Sequence, residues 1–138
     1  MNVLVDTSVW SLALRRRAPK DTSVERELSE LIREGRVVVA GPIRQELLSG
    51  VRGEAQFKKL RDRLRAFGDL FLDESDYEEA AMCFNSCRAK GVQGGSVDFL
   101  ICAICVRRKL AIFTTDQDFV HYSKVLGIRL HEVREKLR

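Results

Sequence analysis

The sequence is poor in the residues that build several common kinds of functional site. Only two histidines occur in the 138 residues, His121 and His131, and they form no His-x-x-His arrangement, which argues against an imidazole-based metal site. No stretch approaches the roughly 20 apolar residues that a membrane-spanning helix needs. No basic leader precedes an apolar segment, so we expect no secretory signal peptide. These absences favour a cytoplasmic protein.

Cysteine is present but not in the pattern of a structural metal site. The four cysteines form two close pairs, Cys83 with Cys87 and Cys102 with Cys105, and both pairs lie inside long helical patterns. Structural zinc sites usually use short knuckles with turn residues, which are missing here. Because buried free cysteine behaves as a small hydrophobe, we predict core packing over the alternatives of zinc binding or a disulfide.

The remaining composition is that of one globular domain. Hydrophobic residues make up 45% and charged residues 32% of the chain, and the net charge is +4. This mildly basic balance permits an anionic partner without requiring one. Because no repeat, low-complexity segment or linker interrupts the pattern, we predict a single domain over residues 1–138.

Short apolar runs alternate with helical patterns along the whole chain. This alternation predicts an α/β fold with a mainly parallel sheet. The predicted strands are residues 3–5, 37–40, 70–72, 110–113 and 127–130.

Acidic side chains recur at places that can meet at one edge of this sheet. Asp6 follows the first strand, Glu46 lies in the helix after the second, and Asp116 and Asp118 follow the fourth. Asp98 lies in the first turn of a helix that can begin at the same edge. Singly, each has an ordinary explanation as a turn residue, a helix-capping residue or part of a solvated face. Together they indicate a site, because ligands bind outside the carboxyl ends of parallel strands.

Carboxylates gathered in this way require a counter-charge. Two of them about 5 Å apart repel by roughly 3 kcal/mol at an effective dielectric constant near 20. An all-oxygen ligand set without histidine or cysteine suits Mg²⁺ or Mn²⁺, which can activate water against a phosphodiester. The hydroxyls of Thr7, Ser8 and Thr115 could bond a carboxylate, a water or a phosphate.

Four segments resemble the motifs of PIN-domain proteins, and within them of VapC-type toxin ribonucleases. They are VLVDTSVW at residues 3–10, IRQELLSG at 43–50, SVDFLICA at 96–103 and LAIFTTDQDF at 110–119. The match extends over essentially the whole chain in family order and spacing. The resemblance implies three layers, α/β/α, with a five-stranded sheet of order 3-2-1-4-5. It also implies Mg²⁺- or Mn²⁺-dependent endonucleolytic cleavage of RNA.

The resemblance also assigns roles to the acids. It implies an acidic quartet of Asp6, Glu46, Asp98 and Asp116, with Asp118 as a supporting fifth acid. Within this set, Asp6, Asp98 and Asp116 are the expected metal ligands. A homodimer and a VapB-like antitoxin that covers the active site are the expected partners. The alternative interpretation is a non-catalytic PIN-like module with an RNA-binding or regulatory role.

A third class, phosphoryl-transfer and receiver-type signalling domains, fits the residues poorly. Haloacid-dehalogenase-like phosphatases need a second aspartate two residues after the first, where this chain has Ser8. Receiver domains need a lysine after a late strand, and residues 128–132 contain none.

Basic runs and a single tryptophan are candidate RNA contacts. Arg15, Arg16 and Arg17 lie close in sequence to the predicted catalytic edge, so we predict that they contact RNA phosphates. A solvated face is the competing explanation for all three basic runs, at residues 15–17, 58–65 and 107–109. Trp10 could stack on a base, but its place on the inward side of the first helix favours the core.

Overall fold

The computed structural model describes residues 1–14 and 22–134 of the chain. The described ranges contain the strands β1 (Val3–Val5), β2 (Val37–Val38), β3 (Ala111–Phe113) and β4 (Arg129–Leu130). They also contain the helices α1 (Thr7–Ala13), α2 (Ser23–Arg33), α3 (Gly41–Leu48), α4 (Glu54–Leu64), α5 (Glu74–Ala89), α6 (Ser96–Arg108) and α7 (Asp118–Ser123). This alternation confirms the predicted α/β class.

Strand β1 lies at the centre of the sheet and is fully buried, as its uninterrupted apolar sequence predicts. The strand order is β2-β1-β3-β4, and every pairing is parallel. Leu4 is paired with Val38 on one side and with Ile112 on the other. A strand that is paired on both sides and covered on both faces contacts no water, so none of its residues needs to be polar. This explains why the sequence of β1 is wholly apolar.

The strand order reverses at β1 and β3, and this reversal creates a crevice. The connection from β1 leads outward to β2, whereas the connection from β3 leads outward to β4 on the other side. Because crossovers between parallel strands are right-handed, the two connections place helices on opposite faces of the sheet. The crevice beyond the carboxyl ends of β1 and β3 is therefore the topological switch point where α/β folds bind ligands.

The predicted strand at residues 70–72 is reduced to a single bridge at the edge of the sheet. Asp69 pairs with Val39 in parallel, and the Leu70 N–H donates to the Val39 carbonyl at 3.3 Å. Leu70 packs against the core, but Phe71 is 91% exposed. The position of this segment beside β2 matches the predicted order 3-2-1-4-5, although only four strands are formed within the described residues.

Helices α5 and α6 pack along each other and enclose all four cysteines. Cys83, Cys87, Cys102 and Cys105 are buried and form no disulfide. Burial raises the pKa of Cys83 to about 11 and that of Cys105 to about 12, so both thiols stay protonated at neutral pH. The predicted core role of the cysteines is confirmed.

The start of α5 is fixed by a capping box and by two arginines of α6. The Asp73 side chain accepts from the Asp76 N–H, and the Asp76 side chain accepts from the Asp73 N–H. The fully buried Asp76 carboxylate also accepts from Arg107 at 2.6 Å and from Arg108. Hydrogen bonds from Arg108 outweigh burial and hold the pKa of Asp76 well below its usual range. Arg107 and Arg108 therefore have partners within the protein.

The segment after β4 returns to α2 and bonds a buried acid there. The Glu27 carboxylate lies 2.5 Å from His131 Nε2 and accepts from Arg134 Nε at 2.8 Å. Burial alone would raise the pKa of Glu27, but the bonds from Arg134 and His131 outweigh it and lower the pKa. This group of three residues joins positions more than 100 apart in sequence.

In the part of the chain described, no helix is long and apolar enough to cross a bilayer.

Candidate active site

Asp6 ends β1 and is held by two hydroxyls that approach from different parts of the chain. Its N–H donates to the Phe113 carbonyl at 2.9 Å, which continues the pairing of β1 with β3. Ser8 Oγ donates to Asp6 Oδ2 at 3.0 Å and Thr114 Oγ1 donates to the same oxygen at 2.8 Å. The carboxylate is 8% exposed, so these bonds replace the water that it loses.

The turn after β3 brings the next acids to the same place. The Asp116 N–H donates to Thr114 Oγ1 at 3.0 Å, and the Asp118 N–H donates to Asp116 Oδ1 at 2.9 Å. The Thr115 N–H donates to Ser8 Oγ at 3.0 Å. Thr114, which was not predicted, thus supplies the hydroxyl at Asp6, whereas Thr115 takes part through its main chain. Both side chains of the acids in this turn are exposed.

Glu46 reaches the crevice from the solvent side of α3. Thr7 Oγ1 donates to Glu46 Oε1 at 3.4 Å, a long bond between the first turn of α1 and the last turn of α3. Partial burial raises the pKa of Glu46, and the negative charges of Asp6 and Asp98 raise it further. Glu46 is exposed, as a residue of a solvated face would be, but Thr7 also bonds it and the charges of Asp6 and Asp98 act on it.

Asp98 enters from the first turn of α6, where the helix dipole favours a carboxylate. Helix α6 begins at Ser96, and Gly95 is its N-cap residue. Burial is the main cause that raises the pKa of Asp98. Repulsion from Asp116, Asp6 and Asp118 raises it further, and a hydrogen bond from Tyr122 opposes the change.

Three of these carboxylates converge closely enough to bind one cation. Among the described residues, Asp98, Asp116 and Asp118 each offer one oxygen within 4.8 Å of the others. The donor set contains only carboxylate oxygens, which is the chemistry that Mg²⁺ and Mn²⁺ prefer. Burial raises the pKa of Asp98, and the charges of Asp116, Asp6 and Asp118 raise it further. A divalent cation would relieve the repulsion between these acids. The cluster therefore suits a divalent cation.

The membership of this cluster differs in part from the predicted ligand set. Asp98 and Asp116 were predicted as ligands and belong to it, whereas Asp118 was predicted only as a supporting acid. Asp6 lies outside this group of three, and its Oδ2 accepts from two hydroxyls. A direct bond from Asp6 to a cation stays a prediction.

Tyr122 is the second residue that was not predicted from the sequence. Its hydroxyl donates to Asp98 Oδ2 at 2.8 Å, although its side chain is fully buried. Asp118 and Tyr122 are four residues apart at the start and end of α7, so both lie on the same face of that helix. This spacing is the one sequence signal that could have placed Tyr122 near the acids.

Trp10 belongs to the core and is not an exposed base-stacking surface. Its side chain is 5% exposed and packs edge-on against Phe67 with ring centroids 5.4 Å apart. This confirms the predicted core role. The predicted RNA contacts Arg15, Arg16 and Arg17 lie outside the described residues.

Comparison with known proteins places this architecture in a family. The family model described as PIN domain matches residues 3–125. A comparison of the sequence with curated proteins gives no match. Solved structures with the same fold include VapBC2 from Rickettsia felis bound to a DNA fragment from the promoter. It has a TM-score of 0.77 and 15% identity, over 95% of this chain and 98% of that one.

Two further solved structures agree with this assignment. VapBC-1 from nontypeable Haemophilus influenzae has a TM-score of 0.75 at 13% identity, over 96% of this chain and 98% of that one. FitAcB from Neisseria gonorrhoeae has a TM-score of 0.72 at 20% identity, over 94% of this chain and 96% of that one. The family model spans nearly the whole sheet and every acid of the crevice, and the chain belongs to the PIN domain family.

Proposed function

We propose that this protein is a Mg²⁺- or Mn²⁺-dependent endoribonuclease, the toxin of a type II toxin–antitoxin pair. The observation that carries the proposal is the convergence of Asp98, Asp116 and Asp118 at the switch point of the sheet. Such a concentration of carboxylates, one half-buried and two exposed, has no stabilising role by itself, because like charges repel one another. It fits a site whose function needs a cation.

In this proposal, Asp98, Asp116 and Asp118 hold the cation, and Asp6 serves as an additional ligand or orients the site. When bound, the cation would polarise the scissile phosphodiester and lower the pKa of an attacking water. Ser8 and Thr114 fix the Asp6 carboxylate through Oδ2, so that the acid keeps one orientation. Glu46 contributes a further carboxylate, whose charge interacts with Asp6 and Asp98.

The arrangement favours phosphodiester chemistry over other uses of a cation. The acids lie in an open crevice and not in a closed cavity, since Asp116, Asp118 and Glu46 are exposed. A purely structural cation site would be enclosed by its ligands, whereas a catalytic site keeps positions for water and substrate.

We also propose a VapB-like antitoxin and a homodimer as the assembled state in the cytoplasm. The solved structures of similar fold from Rickettsia felis and Haemophilus influenzae are VapBC complexes. An open groove of about 540 Å³ between α5 and α6 is lined mainly by apolar side chains, among them Tyr77, Phe84 and Val97. These three side chains are exposed in the single chain, so the groove supports the proposal that this protein has a protein partner.

Cleavage of RNA by the purified protein tests the enzymatic proposal. Wild type with Mg²⁺ or Mn²⁺ is expected to cut RNA internally, and EDTA is expected to abolish the reaction. Asp6→Ala and Asp98→Ala are each expected to lower the rate by about 100-fold or more, as loss of a transition-state interaction does. Asp62→Ala serves as the control, because Asp62 is an exposed aspartate that pairs with Arg61 and Arg65 at the surface.

Two outcomes would contradict the proposal. Cleavage that survives EDTA and both active-site substitutions would exclude a metal-dependent nuclease. Binding of RNA without cleavage, unchanged by Asp6→Ala, would favour the non-catalytic RNA-binding module. Growth arrest on expression, relieved by a co-expressed partner encoded beside the gene, separates a toxin from a housekeeping nuclease.

A further inference from the structure

Tyr122 and Gly94 form a support behind the acidic crevice. Tyr122 is fully buried, and its ring packs against Phe99 and Phe119 with centroid separations of 5.0 and 5.2 Å. Packing on both rings fixes the direction of the tyrosine. The position of its hydroxyl is therefore fixed, and the hydroxyl donates to Asp98 Oδ2 at 2.8 Å.

Gly94 makes room for this hydroxyl. A Cβ atom at Gly94 would lie 2.3 Å from Tyr122 Oη and 2.8 Å from Cζ, far inside van der Waals contact. The backbone φ of Gly94 is not in the left-handed region, so its conformation does not call for glycine. The close approach of Tyr122 is the feature of the structure that excludes a side chain at this position.

The chemistry of a carboxylate explains why such a support would matter. The terminal torsion of an aspartate is broad, so a carboxylate in contact with water turns readily. A donor fixed on Oδ2 removes that freedom and sets the direction of Oδ1 and of the remaining lone pairs. Groups that bond a metal ligand in this way typically change metal affinity or activity by about 10- to 100-fold when removed.

We propose that Tyr122 is a positioning residue for Asp98, and that Gly94 is required because its missing side chain admits the Tyr122 hydroxyl. The inference rests on the proposed metal-dependent function, since it assigns Asp98 to the cation. It extends that function to a residue outside the acidic set, on the opposite side of Asp98 from the solvent.

Removal of one hydroxyl at each of two neighbouring residues of α7 provides a matched test. Tyr122→Phe removes the oxygen that bonds Asp98 and keeps the ring packing. Ser123→Ala removes a hydroxyl that donates to the Val120 carbonyl at 2.6 Å, within the same helix. Binding of Mn²⁺ to each metal-free folded protein is measured by calorimetric titration without RNA, beside thermal unfolding and RNA cleavage.

The expected result is specific to the active site. Tyr122→Phe is expected to weaken Mn²⁺ binding by about tenfold and to slow cleavage correspondingly, whereas Ser123→Ala leaves both within about twofold. A merely structural hydrogen bond would lower the unfolding temperature without changing the Mn²⁺ affinity of the folded protein. Equal Mn²⁺ affinity in Tyr122→Phe and wild type would therefore overturn the inference, even if Tyr122→Phe were less stable.

A double-mutant cycle tests the part assigned to Gly94. Gly94→Ala is expected to weaken Mn²⁺ binding by about tenfold in wild type but by less than about twofold in Tyr122→Leu, where neither the hydroxyl nor the ring atoms Cζ and Cε1 occupy the space. The same loss in both backgrounds would show that Gly94 acts by another route. If Gly94→Ala does not fold alone, its recovery of folding in the Tyr122→Leu background supports the steric argument, and failure in both contradicts it.

The outcome for the proposed function can be told apart from the outcome for this inference. A wild type that binds Mn²⁺ but cuts no RNA contradicts the nuclease proposal, and the Mn²⁺ affinities still decide the role of Tyr122. A wild type that binds no Mn²⁺ overturns both.

Discussion

Two adjacent threonines take different parts in the site, and their difference shows what a single residue contributes. Thr114 is half-buried and bonds Asp6, Ser8 and the Asp116 N–H through its hydroxyl. Thr115 is exposed and bonds Ser8 through its N–H. The Thr114 hydroxyl thus connects β1 to the turn that carries Asp116.

This difference leads to a prediction with a built-in control. Thr114→Val should lower the cleavage rate by about tenfold, because it removes a donor that orients a carboxylate of the site. Thr115→Val should change the rate by less than about twofold, as expected for an exposed side chain. Steady-state cleavage rates of the two variants at saturating Mg²⁺ check this. A larger loss in Thr115→Val would restore the role predicted for the Thr115 hydroxyl.

The sequence could not distinguish these two residues. Successive side chains of an extended segment point to opposite sides, so a shift of one position exchanges the inward and outward residues. The pattern Thr114-Thr115-Asp116 has a hydroxyl in both positions and gives no signal for either. The acids were easier to predict, since their places after β1 and β3 depend only on the order of strands and helices.

At the scale of elements, the pairing of α5 with α6 depends on the buried Asp76. This carboxylate takes part in the capping box of α5 and also pairs with two arginines of α6. The sequence indicated a basic run at residues 107–109 on a solvated face, or one that contacts RNA. Arg107 and Arg108 were hard to assign because Asp76 lies 31 and 32 residues away in sequence.

Asp76→Ala is therefore expected to destabilise the domain by about 3 kcal/mol, the usual cost of removing one member of a buried ion pair. Asp62→Ala is the matched control, because Asp62 also contacts two arginines, Arg61 and Arg65, but at the surface. Urea denaturation of both variants measures the difference. Equal stability of the two variants would show that burial of Asp76 adds nothing.

The same carboxylate gives the stability a defined pH dependence. Its pKa is far below the ordinary value of 3.8, so the folded state binds fewer protons than the unfolded state below about pH 4. The stabilising contribution of Asp76 is thus fully present above its unfolded pKa and is lost as the pH falls toward its folded pKa. The advantage of wild type over Asp76→Ala should accordingly shrink during acid titration below about pH 4.

The edge of the sheet illustrates the limit of prediction at this scale. The strands that flank the site were predicted correctly because both faces are buried and the runs are purely apolar. Residues 70–72 have the same composition, yet Phe71 is 91% exposed and only one bridge forms. A short apolar run at an edge is stabilised by its neighbour on one side alone, and the sequence does not show that neighbour.

At the scale of the whole molecule, Glu27, His131 and Arg134 connect the C-terminal segment to α2. Glu27 is 4% exposed, and its two partners come from beyond β4. This contact joins α2 to the segment that follows the last strand. No motif indicated it, because an acid within an amphipathic helix is ordinarily assigned to the solvated face.

Glu27→Gln should lower the free energy of unfolding by about 2 kcal/mol, because the hydrogen bonds lose their charge while the side chain keeps its size. Glu30→Gln is the control within the same helix, since Glu30 pairs with Arg33 at the surface. Its effect is expected to be too small to resolve by urea denaturation. If the two substitutions are equally mild, the C-terminal segment does not stabilise α2 through this acid.

The reactivity of the four cysteines reports on local opening between α5 and α6. Every thiol of the chain lies in the α5–α6 pair, and burial keeps each one protonated and out of reach of reagents. Since only a thiolate in contact with solvent reacts, modification must wait until these helices part. The rate of thiol labelling therefore measures how often α6, the helix that carries Asp98, separates from α5, and no engineered probe is needed. A bound cation that holds Asp98 in place would make these separations rarer and labelling slower.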